Sequence, residues 1–165
     1  MRKHPNITDG EEVEWVEQSR GEKFGFRRKS LSSATGGDKL GCSLYEVPPG
    51  KRAWPYHYHS ANEEAIYVLE GKGTLRIEED KVEIAKGDYI TFSMGRGAHQ
   101  IMNTSDKTLR YLCFSTMIEP DVIVYPDSKK IGIFVGAAPG GPKEKRTLHK
   151  YLRDDIQVDY WDGEE

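Results

Sequence analysis

The chain has 165 residues, of which 36% are hydrophobic and 31% charged, the proportions of one domain with a real core and no room for a second full domain. A net charge of −3 and a pI near 6.0 exclude the global field that would hold nucleic acid or an anionic membrane, and leave small molecules as the expected partners. The two cysteines, Cys42 and Cys113, lie in apolar runs and are expected as free thiols; the opening residues are too polar for a signal peptide and no run reaches membrane-spanning length, so the chain is expected in the cytoplasm.

From Glu22 onward the sequence is a succession of short β-rich runs punctuated by glycine and proline, with no sustained helical spacing. The segment before it, with the acidic stretch "DGEEVEWVEQ", is expected as an N-terminal extension over residues 1–21 that forms a solvated edge or a short helical turn. Strands are then expected in "EKFGFRRKSL", "KLGCSLYEV", "AIYVLE", "GTLRIEE", "KVEIA", "DYITF", "HQIMN", "TLRYLCFSTM" and "DVIVY", separated by turn sequences such as "SSATGGD", "GKG", "KGD" and "NTSDK". Regular spacing of this kind predicts an all-β sandwich or barrel over residues 22–135. "AAPGGPKEK" breaks the pattern, and residues 136–165 are expected as a C-terminal arm packed over the barrel or a neighbouring copy.

The stretch "WPYHYHSANEEAIYVLEGKG" carries the chemistry. Side chains alternate across a strand, so His57 and His59 point to one face and Tyr56 and Tyr58 to the other. The loop "SANE" places Glu64 at the head of the next run, with Ile66 and Val68 after it on the same face, where a hairpin can return the carboxylate over the imidazoles. A further donor is available at His99, just after the glycine-rich turn in "SMGRGAHQIMN". Three histidines and one carboxylate suit Zn, Fe, Mn, Ni or Cu and leave one or two coordination positions for water or substrate. A His-x-His pair alone would be equally at home on an ordinary surface strand.

The wider spacing resembles the two motifs of the cupin superfamily. "GKRAWPYHYHSANEEAIYVLEG" follows the first through Gly50, His57, His59, Glu64 and Gly71, with one extra residue before His57; counting back from Gly71 selects Glu64 over Glu63. "GDYITFSMGRGAHQIMN" follows the second through Gly87, Gly95, His99 and Asn103, with Ser93 in place of the usual proline and one residue inserted before His99. The resemblance implies a double-stranded β-helix, a small jelly-roll barrel with one divalent transition metal (Zn, Fe, Mn or Ni) per chain inside its open end, held by His57, His59, Glu64 and His99. It covers residues 40–117 well and is looser on the flanks, where "YPDSKK" and "DYWDGE" look like features of one small single-domain subgroup.

Asn103 is expected to support the structure and not to bind the metal, and Glu63 to face solvent or an ion pair. Trp54, Tyr56 and Tyr58 are expected on the face away from the metal, either at a homodimer interface or packed on the N-terminal strands. One of the alternating sets Tyr111–Cys113–Ser115 and Leu112–Phe114 should line the cavity; the sequence leaves open which. Arg96 stands where it could meet an anionic substrate at the mouth. Cupins use one scaffold for many reactions, so the resemblance implies a metal-dependent enzyme on a small polar metabolite, isomerase-like on sugar phosphates or dioxygenase-like; the alternative is a non-catalytic metal- or sugar-binding or sensing module.

Overall fold

The computed structural model describes residues 4–164 and contains thirteen strands and three single-turn 3-10 segments. In chain order the strands are β1 (Val16–Arg20), β2 (Phe24–Ser30), β3 (Leu40–Val47), β4 (Tyr58–His59), β5 (Glu64–Glu70), β6 (Lys72–Ile77), β7 (Asp80–Ala85), β8 (Tyr89–Phe92), β9 (His99–Met102), β10 (Leu109–Thr116), β11 (Asp121–Tyr125), β12 (Lys130–Val135) and β13 (Leu148–Arg153). All nine strands expected from the sequence are present. β1, from the N-terminal segment, pairs with β2, and β13, from the C-terminal arm, pairs with β12.

One layer is a six-stranded antiparallel sheet in the order β1-β2-β3-β10-β5-β8. The other is built from β7-β6-β9 and β13-β12-β11-β4, which the His57–His99 bridge joins: each residue donates its N–H to the other's carbonyl, at 3.1 and 2.8 Å. The histidine segment is therefore the seam of this layer. The core between the layers takes Val47, Val68, Leu109 and Tyr111 from the first, and Leu75, Ile84 and Ile101 from the second. Val47, Val68 and Leu109 have no exposed surface, and burial of each side chain contributes roughly 1.5–3 kcal/mol. This is the cupin jelly roll the sequence predicts.

Two details of the sequence fix the frame around the site. Gly71, between β5 and β6, has φ +81°, and a Cβ there would fall 2.6 Å from the Thr108 carbonyl oxygen, so the turn that returns the chain beneath β10 requires glycine. Asn103, after β9, is 1% exposed and serves a turn: its amide donates to the Val47 and Lys107 carbonyls while its oxygen accepts from Ser105. The outer face of β2 and β3 is covered by residues 10–15, held by Lys29, whose buried ammonium donates to the Gly10 carbonyl at 2.6 Å and lies 4.8 Å over the Trp15 ring.

The expected aromatic face opposite the metal is corrected. Trp54 packs on Phe26 with the rings tilted and their centroids 4.5 Å apart, and adjoins the core, while Tyr56 is buried with the Arg76 guanidinium 3.7 Å over its ring. The reason is local: regular strand covers only Tyr58 and His59, so alternation does not extend back to Trp54. Packing on the N-terminal strands is the outcome for Trp54.

Candidate metal centre

The site lies at the end of the barrel where β4, β5, β9 and β11 meet. His57 stands before β4, His59 ends it, Glu64 opens β5 and His99 opens β9. The four residues between β4 and β5 are tightly pinned: Ser60 donates its N–H to the Val122 carbonyl, Ala61 donates to Asp121 Oδ1, and buried Asn62 bonds both the N–H and the carbonyl of Ile118. That loop is what aims Glu64 inward. On the other side, the Gly95 N–H donates to the His59 carbonyl at 2.7 Å and draws the glycine-rich turn against the seam.

Donor atoms of His57, Glu64 and His99 all lie within 4.8 Å of one another. His59 adjoins them: its Nε2 is 3.6 Å from Glu64 Oε2, and the Nε2 of His99 is 3.3 Å from the same oxygen. Every one of the three rings is anchored through Nδ1. His57 Nδ1 donates to the Pro55 carbonyl at 2.7 Å, His99 Nδ1 to the Gly97 carbonyl at 3.2 Å, and His59 Nδ1 to Asp121 Oδ2 at 2.6 Å. A carbonyl can only accept, so Nδ1 carries the hydrogen and Nε2 is left as the lone-pair face. Phe92 stacks on His99 with centroids 3.6 Å apart, and Tyr125 lies 5.9 Å from His57, so the rings are held by packing as well.

The electrostatics follow from this crowding. Burial and the neighbouring His99 ring bring the His57 imidazole down to about 3, so it is neutral across the physiological range. Burial alone would raise the Glu64 carboxyl, but the adjoining His99, His59 and His57 rings outweigh it and hold the group at about 2. Burial would likewise lower His59, yet its bond to Asp121 and the Glu64 charge leave it above its ordinary value; burial would raise Asp121, whose bond to His59 brings it down instead. Neutral imidazoles and an ionised carboxylate are the protonation states in which these groups ligate a cation.

The structure thus brings all four expected residues to one place, three of them in a tight cluster and His59 beside it. Asp121 is the residue that sequence reasoning missed. It has no exposed surface, and it orients His59 as carboxylates orient metal-binding histidines elsewhere. Arg96 is exposed on the turn, and the Glu63 side chain is exposed as expected. Tyr111 and Cys113 face the core, which settles the open question for the Tyr111–Cys113–Ser115 set.

The cupin domain family matches residues 43–115. A crystal structure from Acidithiobacillus ferrooxidans, provisionally named a sugar phosphate isomerase, is 30% identical, with a TM-score of 0.77 and 90% of each chain covered. A cupin-superfamily structure from Silicibacter pomeroyi, named a sugar phosphate isomerase, shares the fold at 20% identity and a TM-score of 0.76, over 93% of this chain and 97% of the other. Among curated proteins, an uncharacterized protein of Methanocaldococcus jannaschii is 36% identical over 69 residues, 42% of this chain and 54% of its own. The chain spans about half the length of the curated relatives it matches. It belongs to the cupin superfamily. Among the described residues, no helix is long and apolar enough to cross a membrane.

Proposed function

We propose that this cupin holds one divalent transition-metal ion (Zn, Fe, Mn or Ni) through the Nε2 atoms of His57, His59 and His99 and the carboxylate of Glu64, and acts as a metal-dependent enzyme on a small polar metabolite, of the sugar phosphate isomerase kind. The observation that carries the reading is the common anchoring of three histidines through Nδ1, which turns three Nε2 lone pairs toward one ionised carboxylate. The donor set fits such an ion: mixed nitrogen and oxygen ligands, desolvated, with Asp121 fixing one ring from behind. A bound ion would supply Lewis acidity to a substrate oxygen. The protein's own part is to fix the donor atoms, keep the His57 imidazole neutral and exclude bulk water with Phe92 and Tyr125. The sugar phosphate reading is supported by the 30% identity to the Acidithiobacillus structure over 90% of both chains, a likeness that runs beyond the shared barrel motifs.

The test is a thermal-shift screen of a metabolite library on metal-loaded and metal-stripped protein, followed by product analysis of each hit. Metal-dependent hits that are converted support the reading. A metal-dependent hit recovered unchanged after long incubation, with and without oxygen, overturns the enzymatic part and leaves a binding module.

We also propose that the protein is a homodimer. With Trp54 and Tyr56 taken into the fold, what supports this is the C-terminal arm, where Ile156, Val158, Tyr160 and Trp161 stand exposed beyond the edge strand β13.

A further inference from the structure

The antiparallel registers of the six-stranded sheet give a map of the barrel's inner wall, because directly paired residues point to the same face. The row at the metal end reads Phe92, Glu64, Ser115, Gly41 across β8, β5, β10 and β3. The next reads Ile90, Ile66, Cys113, Ser43, Ser30, and the third Val68, Tyr111, Tyr45, Arg28. Beside Glu64, then, the wall changes from large apolar residues to Ser115, Gly41, Cys113, Ser43 and Ser30, all small and none fully buried. Such a floor presents hydroxyl and thiol groups to the interior, and at Gly41 the Met117 sulfur takes the space, 2.8 Å from where a Cβ would stand.

Arg28 closes this floor. It shares its face of β2 with the buried Phe26, whereas Arg27 on the opposite face pairs with Glu46. Among the described residues no carboxylate pairs with Arg28. The Tyr45 hydroxyl accepts from the Trp54 indole N–H at 3.3 Å, stands on the residue directly paired with Arg28, and its own hydrogen has no acceptor among the described residues. Over the guanidinium comes the loop after β12: a Cβ on Gly140 would lie 3.9 Å from Arg28 Nη1, and Ala137 and Ala138 of that loop are buried. A half-buried guanidinium with no carboxylate partner and a tyrosine hydroxyl thus offer donors to an anion. Three strand spacings and four residues of rise separate the Arg28 and Glu64 Cα atoms by about 20 Å along the sheet, so a ligand that joins the guanidinium to the metal end is an extended one, such as a sugar chain bearing a terminal acid group.

We propose that Arg28 and the Tyr45 hydroxyl form the subsite for an oxyanion of the substrate, and that the ligand is a hydroxylated small molecule whose acid group, phosphate or carboxylate, lies on Arg28 while its other end reaches His57, Glu64 and His99. The bidentate fork of arginine suits either anion. This deepens the metal-enzyme reading and names the substrate class, but the anion subsite itself needs no metal and is tested without one.

Metal-stripped protein is titrated separately with inorganic phosphate and with acetate, following the Trp54 indole N–H resonance beside Tyr45. Wild type should bind at least one of them, and whichever binds more tightly identifies the acid group. Arg28→Gln should weaken that binding by at least about tenfold, Arg28→Lys should retain part of it, and Arg27→Gln, on the opposite face of the same strand, should bind as wild type does. Metal uptake by Arg28→Gln should equal that of wild type. The proposal is overturned if neither anion moves the Trp54 resonance, or if a folded Arg28→Gln or Arg28→Lys protein binds the anion as tightly as Arg27→Gln does. Should wild type take up no metal while the anion still binds at Arg28, the metal reading fails and the subsite stands.

Discussion

Asp121→Asn is the substitution that probes the metal centre with least disturbance to its shape. Asp121 Oδ2 accepts from His59 Nδ1 at 2.6 Å and Oδ1 accepts from the Ala61 N–H at 3.0 Å, so the carboxylate faces two donors with no exposed surface of its own. An asparagine amide has one acceptor and one donor end. Either it turns its NH2 toward Ala61 and sets two donors face to face, or it turns it toward His59 and forces that ring to accept at Nδ1. In the second case Nε2 carries the hydrogen and points it at Glu64, 3.6 Å away, where it can no longer ligate. Loss of a charge-assisted hydrogen bond to a buried partner costs about 1.5–3 kcal/mol of folding stability. Loss of the orienting carboxylate weakens metal binding by about 10–100-fold. Competition titration of Zn(II) against a chromogenic chelator reads the second quantity, and urea unfolding of metal-stripped protein reads the first. A folded Asp121→Asn protein that binds Zn(II) within about twofold of wild type would refute the role given to His59 and its partner.

Other expectations follow from the same structure. Metal affinity should fall as pH drops through the raised value of His59, beginning above the ordinary imidazole value of about 6.5, because His57 near 3 stays neutral and takes no part in that competition; equal affinity at pH 7.5 and at about pH 5.5 would contradict histidine ligation. In the metal-stripped protein the depressed His57 contributes stability that is lost from about pH 6.5 down to 3, and Glu64 and Asp121 contribute stability present above their unfolded values and lost below about 4.5; His59 opposes them, since its contribution is lost as pH rises through its folded value. Melting temperature should therefore fall steadily from pH 6.5 to 3, and a melting temperature that rises over that interval would contradict the assignment. Leu109→Ala, at a position with no exposed surface, should lower stability by about 2–5 kcal/mol in urea unfolding and leave metal content per folded chain unchanged. Removing residues 154–165 should leave folding intact and convert the proposed homodimer to a monomer in light scattering; a full-length chain that is already monomeric at micromolar concentration would overturn the homodimer proposal.

The parts of the fold legible in the sequence were those with a two-residue period over a buried face. β5 alternates through Ile66, Tyr67 and Val68, and the first half of β10 through Leu109, Arg110 and Tyr111, because one side of each meets the core. β13 is exposed along its whole length, so nothing in "LHKYLR" betrays a strand that exists only by pairing with β12. The histidine pair and Glu64 were legible because they sit at fixed spacing around one short loop. Asp121 was not, because 62 positions separate it from His59 and contact comes only when β11 pairs with β4. Its one local trace, an acid heading the apolar run "DVIVY", is also how an ordinary solvated strand end reads. Arg28 was hidden for a related reason: in "FRRKS" three consecutive basic residues look like a solvated face, and only the register against Tyr45 separates the inward Arg28 from Arg27 and Lys29.

Elemental analysis tests the central claim most directly, on protein purified without chelators or a histidine tag, alongside the variant carrying both His57→Ala and His59→Ala. Wild type should carry about one transition-metal ion per chain and the double variant close to none. A wild-type chain with no metal, or a folded double variant with as much as wild type, would contradict the metal centre described at His57, His59, Glu64 and His99.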